Sequence, residues 1–218
     1  FIFLRMLVLC TMLLVMSFPE TSSGQERNLS IATATPGGVY HPVGVGVASL
    51  LSIKLANRHG LTATAMSTTG SVENIRLLVS GEADLAIVQA LAALDAVEGR
   101  EPFGPNPVVE LSAITLLWEN VEHFILRKEL VKNGDLSDLD GLEDAVSMGS
   151  QGSGTEHSGT VLLKALGLLP GESFPATHHP SYKSTAQAFE SGDIAGANPP
   201  GGVPLGAVVR MFASSGGA

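Results

Sequence analysis

The stretch MGSQGSGTEH, Met148–His157, sets three glycines and two serines between the apolar run DAV and the helix-like run TVLLKAL. Glycines at a strand-to-helix junction aim backbone N–H groups at something negative. Two further loops share this design. Thr35–Gly44 and Ser67–Asn74 each follow a strand-like run, are rich in Gly or Ser, and open a helix. The first amides of a helix have no partner inside it, and the helix dipole favours an anion there. Three chemistries fit such loops: a phosphate cradle, the oxyanion site of a serine hydrolase, or a clasp that holds a carboxylate and releases it.

Spacing separates the three. The Walker pattern is absent and the glycine loop contains no Lys or Arg; after Gly152, Ser153 and Gly154 come Thr155, Glu156 and His157, with no third glycine for a dinucleotide. The hydrolase pattern G-x-S-x-G does not occur around Ser153, and His157 lies four residues on, a poor place for a base that must reach Oγ. His157, His178, His179 and Glu156 lack metal-ligand spacing and read as solvated loop residues. No pair of carboxylates has a spacing that nominates it for acid–base work. The expectation is therefore no catalytic residue, no cofactor and no metal, but reversible binding of a small anion by backbone amides and hydroxyls. Any βα loop also favours glycine and a capping hydroxyl for structural reasons, so the argument rests on the repetition. Ser71 is placed to cap its helix, and its loss would cost about 1 kcal/mol.

The elements that must position these loops alternate strand and helix, which gives an α/β fold class. LSIATAT, LTATAM, ADLAIVQ, DAVSM and DIAGAN read as strands, and ELSAITLLW and VEHFILRKE as two more strand-like runs. In the helix VGVGVASLLSIKLANRHG, Val43, Val47, Leu50, Leu51 and Leu55 make one apolar stripe, with Gly60 closing it. Both halves run strand, Gly/Ser loop, helix, strand, which suits two similar lobes. The 218 residues are 44% hydrophobic, enough for a sizeable core. A net charge of −9 argues against nucleic acid as a partner.

The opening run FIFLRMLVLCTMLLVMSF carries one cation, Arg5, and gives way to TSSG, so residues 1–24 read as a secretory signal peptide. The apolar stretch is only about 18 residues long, at the lower edge for a membrane span. The single cysteine, Cys10, falls inside it, leaving the mature chain without disulfides or thiolate chemistry.

Four blocks, IATATPGGVYHPVG, TTGSVENIRLLVSGEADLAIVQA, MGSQGSGTE and FESGDIAGANPPGGVP, occur in an order that resembles the TAXI family, the extracytoplasmic solute receptors of TRAP transporters. The resemblance implies a two-lobed periplasmic-binding-protein fold of type II, a periplasmic location, a small carboxylate such as glutamate, glutamine or a related dicarboxylate, and delivery to a TRAP membrane permease. Carried over by position, the ligand-binding residues are Gly38, Val39, Tyr40, Ser71, Val72, Asn74, Gln89, Gly152, Ser153, Gly154, Thr155, Gly201 and Gly202. Residues 25–118 would form the first lobe and 119–218 the second, with a hinge near Trp118–Glu122. Two features depart from the family: His41 stands where a second aromatic is common, and the chain stops at Ala218 sooner than its members do. The latter reads as a C-terminal truncation that leaves the first lobe incomplete. The alternatives are an exported serine-dependent hydrolase using Ser153 and a ligand-binding sensor domain that reports to a signalling partner.

Overall fold

Apolar residues with short Gly-containing turns between them build two small sheets, each with its parallel strands ending toward the other. The computed structural model describes residues 26–214, so the run expected to be a signal peptide, residues 1–24, and Cys10 within it lie outside the described residues. In the first sheet, β1 (Arg27–Ala32) pairs in parallel with β2 (Leu61–Met66), from Arg27 opposite Leu61 to Ala32 opposite Met66. On its other side Ile31 and Ala32 pair with β3 (Leu85–Ala86). Helices α1 (Tyr40–His59), α2 (Ser71–Ser80) and α3 (Ala90–Glu98) follow these strands in turn.

The second sheet contains β4 (Ile125–Leu126), β5 (Val146–Ser147), β6 (Ala176–Thr177) and β7 (Gly196–Ala197) in the order β4-β7-β5-β6. Its helices are α4 (Gly154–Ala165), α5 (Tyr182–Ser191) and α6 (Gly206–Ser214). β5 is parallel to both β6 and β7, while β4 runs antiparallel on the edge. The first sheet has the order β2-β1-β3, and β6-β5-β7 repeats it strand for strand. The internal echo in the sequence is thus a repeated topology.

The cores are separate. Ile75, Ala92 and Ala96 join α2 to α3; Val146, Met148, Leu163 and Phe174 fill the space under α4; Phe189, Ile194, Ala197 and Met211 join α5, β7 and α6. Parallel pairing makes each βα loop emerge on the same edge of its sheet, which is where open α/β sheets place ligands.

Three expectations need correction. In α1 the buried positions are Gly44 and Ala48, while Leu50 is exposed. A Cβ on Gly44 would stand 2.2 Å from Thr33 Cγ2, so the helix lies too near β1 for a branched side chain at that contact. ELSAITLLW forms no strand. Ile114 and Leu116 are 80% and 90% exposed, with no partner strand among the described residues, and VEHFILRKE yields only the short β4. The helix α3 was not read from ALAALDAVE, because an Ala-rich run has little polar–apolar period to reveal it.

Asn74, fully buried, ties the first unit together. Its Nδ2 donates to Thr33 O at 2.6 Å and Ile87 O at 2.8 Å, and its Oδ1 accepts from Thr68 Oγ1 at 2.6 Å. Asn74→Ala strands Ile87 O in a dry interior and leaves Thr33 O with only the longer 3.2 Å bond from Thr68 Oγ1, and is expected to cost about 2 kcal/mol in urea unfolding. A loss below about 0.5 kcal/mol would mean that those groups find other partners.

Candidate functional site

Between the two sheets lies a cavity that opens partly to solvent. Five helix starts open on it: Gly38, Val39 and Tyr40 lead α1, Gly70 and Ser71 lead α2, Gln89 precedes α3, Ser153, Gly154 and Thr155 lead α4, and Tyr182 opens α5. Asn120, Pro200 and Gly201 close another side. None of the described lining residues is charged. The polarity of the wall comes from first-turn amides, six threonines and serines, two tyrosines and two side-chain amides.

Local chemistry fixes each wall. Ser153 Oγ caps α4 by accepting Glu156 N–H at 3.2 Å, and the Glu156 carboxylate in return accepts Gly152 N–H at 2.6 Å. At α2 the expected cap is not made. The N-cap is Gly70, and Ser71 Oγ instead accepts Gln89 N–H at 2.9 Å, linking α2 to the start of α3. The missing cap is replaced by Glu73, whose carboxylate accepts from Thr69 N and Oγ1 at 2.6 and 2.7 Å.

The two units meet most closely at Gly154. A Cβ there would stand 2.6 Å from Ser71 Oγ and 2.7 Å from Gln89 Oε1, so only hydrogen fits between the helix starts. A second bridge lies behind it: His157 Nε2 on α4 bonds Asp95 Oδ2 on α3 at 2.7 Å, with both side chains nearly buried. This corrects the reading of His157 as a solvated loop residue. It also leaves Ser153 bonded to Glu156 N rather than to an imidazole, so no nucleophile–base pair is assembled. His178 goes to Glu156 Oε1 at 2.7 Å and His179 to Ser147 Oγ at 3.0 Å, each ring to its own partner.

Tyrosines furnish the inner surface. Tyr40 meets Trp118 edge to face at 5.7 Å, and burial, partly offset by the Ser71 hydroxyl, pushes its phenol up to about 12. Tyr182 OH donates to Pro200 O at 2.6 Å and pairs with Thr155 Oγ1 at 2.8 Å; burial raises its pKa as well. Both phenols are neutral donors at ordinary pH.

Of the residues expected to bind, Gly38, Val39, Tyr40, Ser71, Gln89, Ser153, Gly154, Thr155 and Gly201 line the cavity. Val72 and Asn74 are buried beneath it, Gly152 sits at the outer turn giving its N–H to Glu156, and Gly202 faces Trp118. Asn120 and Tyr182 line it without having been read from sequence. Asn120 follows an exposed apolar run and Tyr182 follows HHPS, and neither context carries a loop pattern.

Residues 31–218 match the NMT1-like family. Among solved structures, the chain is similar to an ancestral arginine-binding protein bound to arginine, at 20% identity and TM-score 0.52, covering 88% of this chain and 77% of that one. It is also similar to the binding-protein component of an ABC phosphonate transporter from Pseudomonas aeruginosa, at 13% and 0.55, covering 87% and 61%. A third likeness is to the GluR0 ligand-binding core from Nostoc punctiforme in complex with L-glutamate, at 15% and 0.50, covering 86% and 74%. At these identities the likeness shows the fold, the α/β type II architecture of periplasmic binding proteins. The chain spans about half the length of two further solved chains it matches, 53% and 50%.

One ionisable group sits near the cavity without lining it. Burial pushes the Glu122 carboxyl up, against weaker lowering by Ser158, Asn198 and His123. The folded state therefore favours its neutral form. Its burden on stability is absent below the ordinary carboxyl range and grows as pH rises toward the raised value. Glu122→Gln is expected to flatten the fall of ligand-free thermal stability across that window, measured by melting at stepped pH. An unchanged slope would mean that Glu122 is solvated like a surface carboxylate.

Proposed function

The chain belongs to the NMT1-like family, and from that premise we propose that it is an extracytoplasmic solute receptor that captures a small carboxylate. The observation that carries the reading is a cleft with five helix starts and no charged lining side chain among the described residues. An anion bound there is stabilised by amides and hydroxyls that are already oriented, so little reorganisation is needed. The ligand class is glutamate, glutamine or a related dicarboxylate, and the reading has two supports. One is the TAXI-like order of the loop motifs; the other is that two of the similar structures hold arginine and L-glutamate, each of which carries a carboxylate. The same motif order supports a periplasmic location and delivery to a TRAP-type permease. The protein performs no chemistry on its ligand.

Capture is a closure of one unit on the other about the segment near Trp118–Glu122. Gly154, Ser71 and Gln89 are the points where the jaws touch, and Asp95–His157 is the bond that forms behind them. The walls themselves are rigid helix starts, so affinity comes from bringing them together around the ligand.

Calorimetry with a panel of glutamate, glutamine and dicarboxylates is expected to give micromolar or tighter binding for at least one. Well-folded protein that gives no heat with any of them would overturn the reading. Gly154→Val is expected to weaken that binding by about tenfold or more, while leaving the melting of the second unit nearly unchanged. A fall in stability that matches the fall in affinity would make Gly154 a folding residue only.

A further inference from the structure

Below the cavity floor lies a second group of polar side chains that the carboxylate clasp does not use. Three elements that line the cavity each carry a further polar residue one step deeper. In the extended segment through the Val121–Gly201 bridge, Asn120 lines the cavity and Glu122, two residues on, shares its face. On the partner segment Pro200 lines it and Asn198, two residues back, shares that face. On α4, Thr155 lines it and Ser158 lies three residues along the same helix face.

These three side chains converge. Ser158 and Asn198 approach the Glu122 carboxyl closely enough to lower it, yet among Glu122 Oε2, Ser158 Oγ and the two amide atoms of Asn198, all buried, none completes a well-formed hydrogen bond. Asn198 is 1% exposed and Ser158 7%. Gly159 is what admits the amide: a Cβ there would stand 2.3 Å from Asn198 Nδ2. Buried polar groups in folded proteins are paired almost without exception, so a cluster of unpaired ones marks a place that something else completes.

We propose that Glu122, Ser158 and Asn198 form a subsite for a primary ammonium group, so that the ligand is an amino-carboxylate. The inference rests on the carboxylate reading of the cleft and adds its second half. An ammonium offers three N–H donors. Glu122 Oε2, Ser158 Oγ and Asn198 Oδ1 offer three acceptors, and Asn198 Nδ2 remains to face the carboxyl. Charge argues the same way. A buried carboxylate beside an anion site repels the anion unless a positive charge or a proton neutralises it. His123, the nearest cationic candidate, gives its ring Nδ1 to a 3.0 Å contact with Pro199 O, and the other titratable groups facing Glu122 are the phenols of Tyr40 and Tyr182. No Arg or Lys stands among them, and the lowering by His123 is the weakest of the effects on Glu122, which leaves the place to the ligand.

The test is calorimetry at neutral pH on the full chain with matched pairs, L-glutamate against glutarate and L-glutamine against its des-amino analogue. The amino member of a pair is expected to bind about 30-fold or more tightly, and Glu122→Gln to remove most of that advantage by weakening the amino member, with the des-amino member bound as tightly as before or more so once the repelling charge is gone. Ser158→Ala, which deletes one acceptor and disturbs packing least, is expected to narrow the gap in the same direction. Equal binding within each pair, or equal loss for both members in Glu122→Gln, would overturn the subsite and leave the carboxylate clasp standing. Des-amino binding that strengthens as pH falls, with no advantage for the amino form, would overturn it too by showing that a proton fills the role. No heat from either member of any pair would overturn the clasp and the subsite together.

Discussion

The cleft depends on how near the start of α4 can come to the starts of α2 and α3. Gly154 stands where a single added carbon would run into Ser71 Oγ and Gln89 Oε1. That contact sets the width of the cavity and the angle at which amides from the two units converge. It also explains why hydroxyls and amides suffice in place of charged side chains. A guanidinium or ammonium reaching in from either wall would hold the jaws apart and carry its own desolvation cost. Dipoles fixed in helix backbones are already dry and aimed, and they add no bulk.

The repeated strand order makes this convergence possible. In β2-β1-β3 and again in β6-β5-β7, parallel pairing sends every following helix back from the same sheet edge. Two such edges facing each other bring five helix starts into one volume. The interior bonds of Asn74 hold the first unit's loops at that edge, and the Ser153–Glu156 pair does the same for α4. The Asp95–His157 bond then ties the units on the far side of the contact, where it fixes their separation without entering the cavity.

Much of this was legible in the residues. The Gly/Ser loops announced themselves because a helix start near a ligand needs small residues and hydroxyls, whatever the ligand is. Strands such as LTATAM were legible from their composition and the turns around them, and β2 takes that run end to end. What stayed hidden depends on packing between distant segments. Ser71 looked like a cap, and only the position of Gln89 N–H diverts it. His157 looked solvated, since nothing near it in sequence announces Asp95, 62 residues away. Tyr182 and Asn120 reach the cavity through the fold of the second unit, and Val72 and Asn74 leave it because helix periodicity turns them inward. ELSAITLLW shows the limit of propensity: β-favouring residues become a strand only where another strand waits for them.

The central claim is that backbone amides at helix starts, rather than charged side chains, hold the anion. Amide NMR titration with L-glutamate reads those groups one by one. The account predicts that the largest downfield shifts fall on the N–H groups of Tyr40, Ser71, Gly154 and Thr155, with Arg and Lys side-chain signals little changed. Saturable binding that leaves those four amides unmoved, and shifts an Arg or Lys side chain instead, would contradict it.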